Sequence, residues 1–99
     1  MNGVNYGLVT GDGVIGTSGT PKVIYGMSIV NNSGGNGVVK IRNGALVSDP
    51  IVIQHTMTVG ADSGEYVPIS DVGLMLGDGC FVDIDANVEQ VALFYREVI

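Results

Sequence analysis

The chain has 99 residues, of which 45% are hydrophobic and only 14% are charged, and its formal net charge is −6. This length fits one domain, and so few charges leave apolar surface that burial against a partner would cover. Binding to nucleic acid or to an anionic membrane is unfavourable with four cations in total, and a single cysteine excludes an internal disulfide. The first residues lack the cationic start and apolar core of a secretory leader, and no apolar run is long enough to span a membrane. We therefore expect synthesis in the cytosol and a soluble chain, at least until it assembles.

Glycine dominates the N-terminal part of the chain. Residues 1–21 are predicted to form a glycine-rich arm or an edge strand, with one short strand candidate at 6–10, and residues 22–99 to form the folded domain. Gly11, Gly13 and Gly16 have the spacing of a dinucleotide-binding loop, in which backbone amides approach a pyrophosphate at the start of a helix. Here the motif runs into a segment that ends in Pro21, where a helix cannot easily begin. We predict no cofactor and interpret these glycines as an arm or loop.

Short strand patterns separated by turn residues follow in the rest of the chain. Helix patterns are almost absent; the best candidate is a single turn within 70–76. Six to eight short strands at roughly 8–12-residue spacing predict an all-β chain folded as a small antiparallel β-sandwich, of jelly-roll type. Outside the N-terminal part, the strand candidates are 23–30, 38–42, 51–58, 65–69, 80–85 and 91–96.

The strand candidate 23–30 has large apolar side chains on one face and small residues on the other. Residues two apart share a face of a strand, so Val23, Tyr25, Met27 and Ile29 are predicted to lie together. Gly26 and Ser28 leave the other face thin, which suits close approach by another backbone.

The clearest alternation in the chain lies in residues 80–95. Cys80 begins an apolar face, whereas Asp83 and Asp85 share the opposite one, and the alternation resumes after Asn87. Asn tolerates the left-handed turn between two strands. These residues therefore predict an antiparallel hairpin with one side in the core, and Cys80 as a small buried hydrophobic residue.

Residue types that support catalysis or ligand binding are few. His55 is the only histidine, and we interpret it as a half-buried strand residue because no serine has a nucleophile-elbow sequence around it. Asp83, Asp85 and Glu89 are too few oxygen ligands for a calcium loop, so we predict no metal. The aromatic residues are scattered along the sequence, and nothing in it groups them: Tyr6, Tyr25, Tyr66, Phe81, Phe94 and Tyr95.

Two pairs of segments carry a family resemblance. Residues 23–32 followed by 37–44, and 79–84 followed by 88–95, resemble small structural proteins of tailed-phage virions. In that pattern a strand leads through a polar loop to a turn such as Arg42-Asn43-Gly44, and a valine-rich strand closes the sheet. The likeness covers about 22–96. It resembles capsid decoration (cement) proteins, and also modules of tail or fibre proteins.

The resemblance implies a β-sandwich without catalytic residues that binds the major capsid protein on the outside of the shell, often as a homotrimer. The alternative is a tail, fibre or carbohydrate-binding module, which would need clustered exposed aromatic rings. Strand parity selects the candidate contact residues. They are Val38, Val52 and Phe94 for contacts between protomers, and Asp83, Asp85 and Glu89 for a basic capsid surface.

Overall fold

The computed structural model describes residues 4–32, 36–57 and 64–98, and this part of the chain contains strands and no helix. The sequence also predicts loops at 31–37 and 60–64 from their glycine, asparagine and serine content, and both lie partly outside these ranges. The strands are β1 (Asn5–Val9), β2 (Gly13–Val14), β3 (Lys22–Asn31), β4 (Val38–Asn43), β5 (Ile51–Thr56), β6 (Gly64–Pro68), β7 (Leu74–Leu76), β8 (Cys80–Ile84) and β9 (Val88–Glu97).

The all-β prediction is confirmed. The described residues form nine strands rather than six to eight, since β2 and β7 have only two and three residues and are too short to show alternation. The helical turn suggested for 70–76 is wrong, because Leu74–Leu76 pairs with the start of β3. No helix that could cross a membrane occurs in the described ranges.

Two antiparallel sheets form the sandwich. Sheet A has the order β1-β9-β3-β6, with β7 also paired to β3, and sheet B has the order β2-β8-β4-β5. The pairs β1–β9, β2–β8, β3–β6 and β4–β5 are nested along the chain, like one long hairpin rolled up on itself. This nesting is the jelly-roll arrangement, so the predicted architecture is confirmed.

The hairpin predicted for residues 80–95 does not form. β8 lies in sheet B and β9 in sheet A, so residues 85–87 carry the chain from one sheet to the other. Both strands alternate because each has one face toward the shared core, and alternation alone does not say whether two such strands pair or face each other. Cys80 is fully buried, as predicted.

The core between the sheets is filled by aliphatic side chains from both. A register shift between Ile24 and Gly26 inserts an extra residue in β3. Ile24, Met27 and Ile29 consequently share the inward face and are fully buried. The predicted face of Val23, Tyr25, Met27 and Ile29 is therefore wrong for the two residues before the shift, Val23 and Tyr25, and correct for Met27 and Ile29.

The described part of the N-terminal segment, residues 4–21, belongs to the sandwich. β1 lies at the edge of sheet A and β2 at the edge of sheet B. Ile15, just after β2, is 2% exposed and packs in the core. Within residues 4–21, β1 and β2 are therefore edge strands of the two sheets.

A buried lysine joins this segment to the sheets. The ammonium of Lys22 donates to the backbone carbonyls of Thr17, at 2.7 Å, and of Thr20. It also lies 3.5 Å from Oε1 of Glu97, whose carboxylate accepts the backbone N–H of Thr17. Residues 17–20 are thus tied to the start of β3 and the end of β9.

Candidate functional site

The outward side of sheet A carries an uncharged, largely apolar surface. The strand register places eight residues in two adjacent rows, which we call the apolar face: Tyr6, Phe94, Gly26 and Pro68 in one row, and Leu8, Ala92, Ser28 and Tyr66 in the next. Tyr6 is 68%, Leu8 53% and Tyr66 58% exposed. Hydroxyl groups are the only polar side-chain groups among these eight residues.

The apolar face follows from the two-residue period of the strands that form it. In β9, Leu93 is fully buried toward the core, so Phe94 and Ala92 point outward. In β1, Tyr6 and Leu8 are exposed, whereas Gly7 has its other side toward the core, where an added Cβ atom would meet Ile15. The strands therefore have apolar residues on both sides, and only the inward side is covered within the described chain.

Two of the aromatic rings are in contact on this face. The ring centroids of Tyr66 and Phe94 lie 6.1 Å apart, with an interplanar angle of 55°, which is within the range of tilted aromatic pairs. The Tyr66 ring extends over Gly26, where a Cβ atom would overlap its hydroxyl. Gly26 thus accommodates an aromatic ring, and not another backbone as predicted.

The expectation that the aromatic residues are scattered is wrong for Tyr6, Tyr66 and Phe94. They are distant in sequence, but β9 pairs with both β1 and β3, and β3 pairs with β6. The alternation within one strand predicts which residues share a face, as Tyr6 and Leu8 do. It does not predict which strands pair, and that pairing is what brings the three rings together.

The outward side of sheet B differs in chemistry. The guanidinium group of Arg42 donates to Oδ2 of Asp83, through Nη2 at 2.9 Å and Nε at 3.2 Å, and also to the carbonyl of Asp49. Beside this pair lies an open depression of about 270 Å³, lined by Val38, Lys40, Gln54, Asp83 and Asp85. This side of the sandwich is polar, and Arg42 and Asp83 form an ion pair on it.

The predicted contact residues lie on different surfaces. Phe94 belongs to the apolar face, whereas Val38, Asp83 and Asp85 line the depression on sheet B. Val52 is 42% exposed on the edge strand β5, and Glu89 is exposed on β9.

The acidic residues among these candidates differ in the ion pairs and hydrogen bonds that they form within the chain. Asp83 forms its ion pair with Arg42. The Asp85 carboxylate accepts the backbone N–H groups of Val38 and Asn87. Asp85 and Glu89 are nevertheless exposed to solvent, so both can face a basic surface.

His55 and Cys80 are the residues with the greatest potential for chemistry. His55 is half-buried on β5, as predicted; its Nε2 lies 3.3 Å from Oε2 of Glu65, without hydrogen-bond geometry in the described structure. Burial raises the pKa of Cys80 to about 12, with a smaller opposing effect of Lys22. The thiol therefore stays protonated at neutral pH and is a poor nucleophile. Residues 4–32, 36–57 and 64–98 contain no cluster of His, Cys, Asp and Glu that could hold a metal.

The fold and its surfaces define a jelly-roll sandwich with one polar side and, on the opposite side, the apolar face. Comparison of the chain with protein-family models, with curated proteins and with solved structures gives no match.

Proposed function

We propose that this protein is a non-enzymatic structural protein of a tailed-phage particle, and that it binds the outer surface of the capsid shell as a decoration (cement) protein. The observation that supports this most is the apolar face. Three of its large side chains are more than half exposed. A contiguous apolar surface of this kind indicates contact with a partner.

The amount of apolar area sets the strength of this contact. Complete burial of a large apolar side chain contributes roughly 1.5–3 kcal/mol. Tyr6, Leu8 and Tyr66 are 68%, 53% and 58% exposed, so together they would add roughly 3–5 kcal/mol on docking. Association costs at least about 4 kcal/mol in lost freedom of motion. One copy therefore binds weakly, and firm attachment requires several linked copies.

The proposed mechanism of stabilisation is mass action. A protein that binds the assembled shell, and not free subunits, lowers the free energy of the shell and so slows its rupture. The net charge of −6 would steer the protein toward a basic surface of the major capsid protein. Asp85 and Glu89 are the exposed acidic candidates for that contact.

The test is survival of shells under heat or osmotic shock, with and without the added protein. We expect the wild-type protein to protect shells and Tyr66→Lys to protect them much less, because the lysine places a charge in the apolar face. Leu46→Lys is the matched control, since Leu46 is 61% exposed in the connection between β4 and β5 of sheet B. Equal rupture with and without the wild-type protein would contradict the cement function.

A second candidate function is a carbohydrate-binding module of a tail or fibre. The grouping of Tyr6, Tyr66 and Phe94 on one face supports it, because exposed aromatic rings can stack on sugars. Small-ligand sites also need several convergent polar groups, and the apolar face offers only hydroxyls. Binding of the isolated protein to a glycan array, lost in Phe94→Ala and retained in Leu46→Lys, would favour this function over capsid docking.

A further inference from the structure

The outer edge of β1 is an unpaired strand edge with unusual composition. β1 ends the order of sheet A, and in the described structure it pairs with β9 alone. Alternate backbone N–H and C=O groups along its other edge therefore point away from the sheet. The strand reads Asn-Tyr-Gly-Leu-Val, with neither charge nor proline, and its register with β9 is regular over all five residues.

The other three sheet edges carry features that discourage pairing. On the far edge of sheet A, β6 contains Glu65 and ends at Pro68, and β7 has only three residues. In sheet B, β2 has two residues, and β5 follows Pro50 and has a register shift where Ile51 meets β4. Charges, prolines, bulges and short length are the usual protections of an edge strand. β1 has none of these protections and also presents Tyr6 and Leu8 beside its open edge.

We propose that β1 pairs antiparallel with β1 of a second copy of this chain, across a twofold axis at Gly7. This register places Tyr6 opposite Leu8 of the second copy, and Asn5 opposite its Val9. The four-strand order β1-β9-β3-β6 of each copy would then continue into one sheet of eight strands. The two apolar faces would form a single surface, which supplies the second linked copy that weak docking requires.

The second copy is favoured over another strand because β1 is complementary to itself. Residues directly opposite in an antiparallel pair have their side chains on the same side of the sheet. With the axis at Gly7, all five residues of β1 have a partner and both apolar faces lie on the same side of the joined sheet. A slip of one residue would turn one copy over, so that its core side would lie on the same side of the sheet as the apolar face of the other copy. An aromatic residue opposite an aliphatic one is a favourable cross-strand pair, and no like charges meet.

The first experiment measures molar mass by light scattering from micromolar to millimolar protein. We expect a dimer for the wild-type protein and for Leu46→Lys, and a dissociation constant at least about tenfold higher for Tyr6→Lys, because pairing would desolvate the new charge. The double variant Tyr6→Lys/Leu8→Glu places opposite charges across the axis and should regain the dimer, whereas Tyr6→Lys/Leu8→Lys should not. A monomer throughout, a trimer, or equal loss in both double variants would overturn the proposal.

The second experiment tests the register by disulfide formation. Opposite residues have Cα atoms about 4.5–5.5 Å apart, within the range that a disulfide bridges. Identical residues would lie diagonally, about 7–8 Å apart. We expect a cross-linked dimer when Tyr6→Cys is mixed with Leu8→Cys, and little from either variant alone; buried Cys80 does not contribute. Cross-linking of each variant with itself, or none in the mixture, would contradict pairing at Gly7.

Discussion

Replacing Lys22 with methionine removes a buried charge that joins three parts of the chain. The Lys22 side chain is fully buried. It donates to the carbonyls of Thr17 and Thr20 and faces the Glu97 carboxylate. Methionine has similar length and fills the same space, so the variant removes the charge and the hydrogen bonds without leaving a large cavity.

The loss of stability can be worked from these contacts. A hydrogen bond to a charged group contributes roughly 1.5–3 kcal/mol, so the two bonds to carbonyls together contribute at least about 3 kcal/mol. Removal of a buried ammonium also recovers part of its desolvation cost. Because two carbonyls then lose their donor, we expect a net loss of about 3 kcal/mol in the free energy of unfolding. For a domain of this size, Tm would fall by about 12 °C or more.

Urea unfolding followed by far-UV circular dichroism measures this loss. Lys40→Met is the matched control, because Lys40 lines the open depression on sheet B, and we expect a change within about 0.5 kcal/mol. If Lys22→Met also stays within about 0.5 kcal/mol of the wild type, the ties from Lys22 to residues 17–20 do not stabilise the fold.

Three further predictions concern single residues. Gly73 has φ of +95°, and a methyl group there would overlap a β3 side chain. Gly73→Ala should therefore lower the free energy of unfolding, measured in urea, by roughly 1–3 kcal/mol. Gly11 lies in open space, so the control Gly11→Ala should change this free energy by less than about 0.5 kcal/mol. The raised pKa of Cys80 predicts that a thiol reagent at pH 8 modifies it only after denaturation; rapid modification of the folded protein would contradict its burial. The backbone N–H of Thr17 lowers the pKa of Glu97 below its ordinary value of 4.5, so the associated stability is present above pH 4.5 and is lost as pH falls through the lowered pKa. Glu97→Gln should therefore flatten the acid side of the stability profile measured by urea unfolding, and an unchanged profile would count against this linkage.

The fold class could be predicted from the sequence because strand signals are local. Alternation of apolar residues and turn residues such as Asn43 and Gly44 depend only on neighbours in the chain. They were sufficient for the positions of the longer strands and for the burial of Cys80. The pairing of strands is not local, and for that reason the predicted β8–β9 pair was wrong.

The apolar face illustrates the same difference. Tyr6 and Leu8 share a face by parity, but their neighbours Phe94 and Tyr66 come from strands far along the chain. Likewise, nothing near Lys22 in the sequence indicates that it is buried, because Glu97 completes its surroundings from the other end of the chain. Alternation can be found in a single sequence, whereas the order of the strands in each sheet determines which residues are in contact.

Hydroxyl-radical footprinting of the protein, free and bound to shells, tests most directly whether the apolar face is the contact surface. Oxidation of Tyr66 and Phe94 is predicted to fall strongly on binding, while that of Leu46, in the connection between β4 and β5, stays unchanged. Protection confined to Leu46 and the sheet B residues, with Tyr66 oxidised as fast as in the free protein, would show that the apolar face is not the contact surface.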